Sequence, residues 1–249
     1  MTSETSRRYG RVLAEGTTIV ASVLLAFAIQ AWWERRSEYK EDVRLLSAVL
    51  DEMRTNLAAI DANRAFHLGV VDVDTTLLKL AGVDPSALAP QYADSLIAGL
   101  SWWNGSNSWT TGAVTALVGA GRLSAIQDET LRRRLAEWPK RIDMLRAAED
   151  QEYDFFFTVF MPYIRREASL PQISDAIRFR PGSSQPYEVG RLNHAPVHTD
   201  HRRLIVSREF QNMVLHQRWI QDDILDWYDI FAKDVSQIIV ALEAELTAR

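Results

Sequence analysis

The eighteen residues from Gly16 to Trp33 carry no charged side chain, and Glu34-Arg35-Arg36 follows at once. No other feature limits the possible folds as much. As a helix this run reaches about 27 Å, close to the hydrocarbon thickness of a bilayer. Arg7, Arg8 and Arg11 precede it, and Trp32 and Trp33 close it, where amphipathic rings favour the headgroup level. The expectation is a short basic tail (1–11), a transmembrane helix (12–33) with Trp32 and Trp33 as its interface belt, and an extramembrane domain (34–249).

A cleavable signal peptide is the competing reading. Ala26-Phe27-Ala28 could serve as its small-x-small site, and Ser6-Arg7-Arg8 faintly resembles a twin-arginine signal, although Gly10 stands where that pattern prefers an aromatic. The apolar run continues past Ala28 into a helical pattern without a polar, Pro- or Gly-containing region, which favours an uncleaved anchor. Lys and Arg flank both ends of the run. The short basic tail favours a cytoplasmic N-terminus and a domain on the periplasmic side of a bacterial inner membrane. Thr18, Ser22, Ala26 and Gln30 recur every fourth residue of the span. Small side chains there would let another membrane helix approach, and a Gln facing lipid is costly without a partner. A chance stripe of common small residues is the alternative.

The extramembrane part, about 215 residues, is long enough for its own core, and the 47% hydrophobic content of the whole chain points to a globular rather than a disordered domain. The net charge is −5 and the longest basic run is Arg132-Arg133-Arg134, so a nucleic-acid footprint is not supported and no nucleic-acid partner is expected. Cysteine is absent, which removes thiol catalysis, disulfides and iron–sulfur ligation together.

Past the anchor, Val43, Leu46, Leu50, Met53, Leu57 and Ile60 are spaced 3-4-3-4-3, a seam for a neighbouring helix. Arg64 and His67 fall on the same seam and are expected to end its dry part. Span and stalk are expected to form one helix, because no Gly or Pro lies between Glu34 and Arg64. Asp84-Pro85 reads as a helix start, and Trp102 to Trp109 as a turn-rich loop flanked by indoles. The pattern breaks at Gly119 and Gly121 and restarts near Ser124 or Asp128. Leu131, Leu135, Trp138, Ile142 and Leu145 then mark an amphipathic helix that Pro139 is expected to kink. Residues 169–206, with Pro171, Pro181, Pro186 and Pro196, are expected to be an irregular partner-contact segment. A long helix with Met213, Ile224, Trp227, Phe231, Val235, Ile238 and Leu242 on one stripe closes the chain. No strand run appears. The fold class is all-α: a transmembrane helix continuing into a stalk helix, plus a helical bundle with a long Pro-rich segment.

Three segments carry a resemblance. They are Ala31-Trp32-Trp33-Glu34-Arg35-Arg36 with the helix behind it, Ala116-Leu117-Val118-Gly119-Ala120-Gly121-Arg122-Leu123 continuing to Trp138, and the C-terminal Ala241-Leu242-Glu243-Ala244-Glu245-Leu246. Together they resemble a bacterial family of single-pass membrane proteins, a domain of unknown function with an N-terminal anchor and a helical domain. The resemblance implies that architecture and no reaction.

Chemical constellations are sparse. His194, His198 and His201, beside Asp200, have a spacing that zinc could use, but Pro196 opposes a helix that would align His194 with His198. Exposed loop histidines are the plainer reading, and no metal is expected. Trp102, Trp103 and Trp109 could present flat faces to a ligand or partner, or plug the end of the bundle. Glu149-Asp150-Gln151-Glu152 and the run Asp222, Asp223, Asp226, Asp229 read as solvated acidic faces. No phosphate loop, nucleophile elbow or zinc-protease motif occurs in the sequence. The expected function is that of a non-enzymatic accessory or structural subunit without a cofactor, whose partners are other membrane proteins and the lipid bilayer. A ligand-binding or sensory module using the tryptophan loop is the alternative, and a metal-dependent enzyme comes last.

Overall fold

The computed structural model describes residues 3–82, 88–100, 109–176 and 198–249, with side chains from Ser22 onward. The expected start at Asp84-Pro85, the residues Trp102, Trp103 and His194, and the side chain of Thr18 lie outside the described residues. So does most of the Pro-rich segment.

All described elements are helical: α1 (Ser3–Leu80), α2 (Pro90–Leu100), α3 (Gly112–Gly119), α4 (Glu129–Phe155), α5 (Met161–Glu167), α6 (Leu170–Ala176), α7 (His201–Val206) and α8 (Arg208–Thr247). The all-α reading therefore holds, with no strand among the described residues. Contacts divide the chain into two units, Met1–Ala48 and Val49–Arg249. The first is the N-terminal part of α1. Among the residues whose side chains are described, which begin at Ser22 inside the apolar run, no helix is long and apolar enough to cross a membrane.

The second unit is built on three helices. Ion pairs Arg54–Glu243 (2.8 Å) and Arg64–Asp229 (2.7 Å) set α1 antiparallel to α8. Asp234 of α8 receives Arg141 (3.0 Å) and Arg134 (3.4 Å) from α4, which also runs antiparallel to α8. The seam of α1 runs on past Arg64, which is half-buried beside it, and turns polar at Asn63 and His67, where its dry part was expected to end. Its buried positions are Met53, Asn56, Ile60, Asn63, His67, Val70, Asp74 and Leu77, alternating by three and four. Leu57 is only half-buried, and Asn56 takes the seam position beside it. Asn56 is tolerated there because it exchanges bonds with the Thr110 backbone, donating to its carbonyl (2.8 Å) and accepting its N–H (3.0 Å).

The caps explain where the shorter helices begin. Asp128 accepts the N–H groups of Thr130 (2.8 Å) and Leu131 (3.1 Å), fixing the start of α4. Glu52 of α1 accepts the N–H groups of Ala113 (2.7 Å) and Val114 (3.2 Å), so a neighbouring helix caps α3. Gly121, at φ +67°, makes the break after α3 that only glycine adopts cheaply. Pro139 lies inside α4 without ending it. A π-helical turn, Phe156–Phe160, joins α4 to α5.

The described parts of 169–206, residues 169–176 and 198–206, are largely helical rather than irregular. α6 and α7 lie within them, and Asp200 starts α7 by accepting the Arg203 N–H (3.0 Å). The two ends of the segment are also tied together. Ser169 N–H donates to Thr199 Oγ1 (2.9 Å), and Thr199 N–H donates to Gln172 Oε1 (3.0 Å). Long-range side-chain bonds of this kind leave no periodic trace in the sequence.

Candidate functional site: a polar layer inside the bundle

Towards the His67 end, the seams of α1, α4 and α8 change from apolar to polar. His67 comes from α1, Glu149 and Glu152 from α4, and Gln217, Gln221 and Tyr228 from α8; all are buried. The heptad spacing of each helix carries these residues inward although their side chains are polar. Glu149 and Glu152, three residues apart, share one face of α4. This overturns the solvated reading for Glu149 and Glu152, while Asp150 and Gln151 between them are exposed.

Two chains of hydrogen bonds meet at His67. In the first, His67 Nδ1–H donates to Gln221 Oε1 (2.5 Å), and Gln221 Nε2–H donates to Glu152 Oε1 (2.7 Å). In the second, Tyr228 O–H donates to Glu149 Oε1 (2.8 Å), and Trp109 Nε1–H reaches both oxygens of the same carboxylate (3.1 and 3.0 Å). Tyr228 Oη also lies 3.3 Å from His67 Nε2. The His67 ring meets Phe66 edge-on and lies 5.4 Å from the Tyr228 ring.

Burial controls the charges of this layer. Desolvation lowers His67 to about 4, against a weaker upward pull from the Gln221 bond, so the imidazole is neutral at physiological pH. Desolvation raises Glu152 to about 7; the bond from Gln221 opposes the rise and neighbouring Glu149 adds to it. The Tyr228 hydroxyl is held above its usual range by burial first and by Glu149 second. Two turns beyond His67, Asp74 is fully buried, and neither carboxylate oxygen has a hydrogen-bond partner among the described residues. Burial pushes it up to about 8 despite Arg218, whose guanidinium is engaged by Asp222 (2.9 Å) and Thr75 (2.6 Å).

The residues singled out from sequence are placed differently. Trp109 is buried with its N–H on Glu149, so it serves as a bundle plug and presents no free face. Trp32 and Trp33 are exposed, at 56% and 67%. Ser22, Ala26 and Gln30 lie on an exposed part of α1, and the amide of Gln30 donates to Glu34 of its own helix (3.0 Å). Of the histidine trio, His198 is exposed. His201 bonds Asp94 through Nε2 (2.6 Å), and the second oxygen of Asp94 accepts from Gln172 (2.7 Å). Among the described residues no group of three or more His, Asp or Glu could hold a metal. Asp222 and Asp229 pair with Arg218 and Arg64 at the surface.

Sequence reasoning missed His67, Asp74, Gln217, Gln221 and Tyr228 as a group. One signal was present: extending the 3-4 spacing of the apolar seam past Ile60 gives Arg64, His67, Val71 and Asp74, which puts both titratable α1 residues of the layer on the seam. No protein family, curated protein or solved structure matches the chain.

Proposed function

We propose that the chain is a non-enzymatic, single-pass membrane protein, anchored through residues 12–33, whose helical domain serves as an accessory or structural subunit of a larger membrane complex. The observation that carries this reading is the surface of α1 between Ser22 and Trp33. Val23, Leu24, Leu25, Phe27 and Ile29 are exposed by 48 to 64%, and the two tryptophans follow. At about 100° per residue these side chains point in every direction around the helix, a pattern suited to lipid and costly in water. Arg35 and Arg36 come next, and the Arg36 guanidinium lies 5.8 Å from the Trp32 ring centroid. Cations beside a tryptophan belt fit the headgroup region. The side assignment is periplasmic, in a bacterial inner membrane.

The polar layer supports a structural role more than a catalytic one. His67, Gln221, Glu152, Tyr228 and Glu149 are buried and bonded to each other, an arrangement that fixes helix register. The alternative, a sensory or ligand-binding module, rested on indole faces, and the described one, Trp109, is occupied inside the bundle.

Two measurements test the proposal. The full chain should stay with membranes in alkaline carbonate, and Leu25→Glu combined with Phe27→Glu should release it. A wild-type chain that washes off would overturn the anchor. After gentle detergent extraction, the native size should exceed that of one chain in a micelle; a solitary monomer would overturn the accessory role.

A further inference from the structure

The direction of the hydrogen bonds around His67 carries an inference that does not depend on the membrane reading. A neutral imidazole has one N–H, and here it faces the Gln221 amide oxygen from Nδ1. His67 Nε2 is then an acceptor, 3.3 Å from Tyr228 Oη. The single hydroxyl proton of Tyr228 is already directed to Glu149 at 2.8 Å. A buried acceptor is therefore left poorly served, which costs stability.

Adding one proton to Glu152 removes this conflict. The Glu152 O–H becomes a donor, and the Gln221 amide turns over so that Oε1 accepts it. Gln221 Nε2–H then donates to His67 Nδ1. The imidazole gives up its Nδ1 proton and takes one at Nε2, staying neutral, and Nε2–H donates to Tyr228 Oη. Tyr228 still donates to Glu149, which also holds the Trp109 N–H and stays a carboxylate. All bonds then run in one direction, Glu152 to Gln221 to His67 to Tyr228 to Glu149, an arrangement that strengthens each member. The protein gains one proton from solvent in total.

We propose that Glu152 is a proton-binding site whose occupancy inverts the Gln221 amide and moves the His67 proton from Nδ1 to Nε2, so that the three main helices carry a two-state, pH-read hydrogen-bond chain. Among the described residues, these titratable and charged groups face it. From α1 come His67 and Asp74, from α4 Glu149, and from α8 Tyr228, Arg218 and Asp222, with Trp109 closing the carboxylate of Glu149. Of these, Glu149 favours proton uptake at Glu152, Asp74 is itself protonated up to about 8, and the Arg218 cation is paired with Asp222 at 2.9 Å.

The test is histidine-selective nitrogen-15 NMR on the full chain in detergent micelles, from about pH 5 to about pH 8. His67 should be the Nδ1–H tautomer at the upper end and the Nε2–H tautomer at the lower end. The change should centre near the Glu152 value of about 7, without an imidazolium signal. In Glu152→Gln the tautomer should no longer depend on pH. If that variant does not fold, infrared difference spectra of the wild type give the second readout: a protonated-carboxyl band must grow in with the tautomer change. One tautomer throughout the range would overturn the proposal. So would imidazolium formation near the ordinary histidine value, an inversion that persists in Glu152→Gln, or a carboxyl band that does not track the inversion.

Discussion

The same three helices are held together differently at their two ends. Around Trp138, the layers are Leu131, Leu135, Trp138 and Ile142 of α4 against Phe231, Val235, Ile238 and Leu242 of α8, all essentially without exposure. Around His67, equivalent seam positions hold His67, Asp74, Glu149, Glu152, Gln217 and Gln221. The first end gains stability from area and packing, which tolerate sliding by a heptad. The second gains little net stability from each bond, but it accepts one register only, because a slip would leave several buried polar groups unpaired. The comparison teaches that stability and specificity are divided along the length of one bundle.

The largest expected effect breaks the apolar end. Trp138→Ala should cost about 4 kcal/mol through the cavity it leaves, with the loss independent of pH; thermal melts of the full chain in detergent at several pH values measure both. A loss that varied with pH would mean that the two ends are coupled. Next comes Glu149→Leu, which strands the Tyr228 hydroxyl and the Trp109 N–H. It should cost about 3 kcal/mol, and adding Tyr228→Phe should recover part of this, since a missing donor is cheaper than a stranded one. Additive losses in the double variant would show that the two groups do not share the carboxylate.

A third, smaller effect depends on pH. A carboxyl whose folded value lies above its unfolded one binds the proton more tightly when folded, so stability falls as pH rises between the two values. For Glu152 that window runs from 4.5 to about 7, and for Asp74 from 3.8 to about 8. His67 has the opposite sign between about 4 and 6.5, where the unfolded chain binds more protons, and it offsets one carboxyl there. The melting temperature should therefore fall with rising pH, most steeply just above the His67 window. Each uncompensated group contributes roughly 1 kcal/mol per pH unit. Glu152→Gln and Asp74→Asn should each flatten the slope and melt higher than the wild type at alkaline pH; an unchanged slope would remove these groups from the account. The smallest effect belongs to the surface that both ends share: Arg54→Ala breaks an exposed pair and should cost at most about 0.5 kcal/mol in the same melts.

Legibility from sequence followed the same division. The apolar stripe from Leu131 to Leu145, the cap at Asp128, the break at Gly121 and the continuity of α1 into its stalk were all readable, because each depends on neighbours within a turn or two. The polar layer was misread for a physical reason. A Glu or His on a helix is ordinarily solvated, and nothing local distinguishes Glu149 and Glu152 from Asp150 between them except their phase relative to Leu145. Trp109 and the ends of the 169–206 segment were equally opaque, since their partners lie about 30 to 40 residues away in the chain.

The sequence by itself determined an all-helical chain, the uncharged run ahead of Glu34, and the periodic faces by which the long helices can pack, all consequences of helical period and transfer energy. Only the tertiary structure decided that His67, Gln221, Glu152, Tyr228 and Glu149 meet. Their hydrogen bonds form between helices remote in sequence, and burial sets their charge states only once all three helices have closed around them.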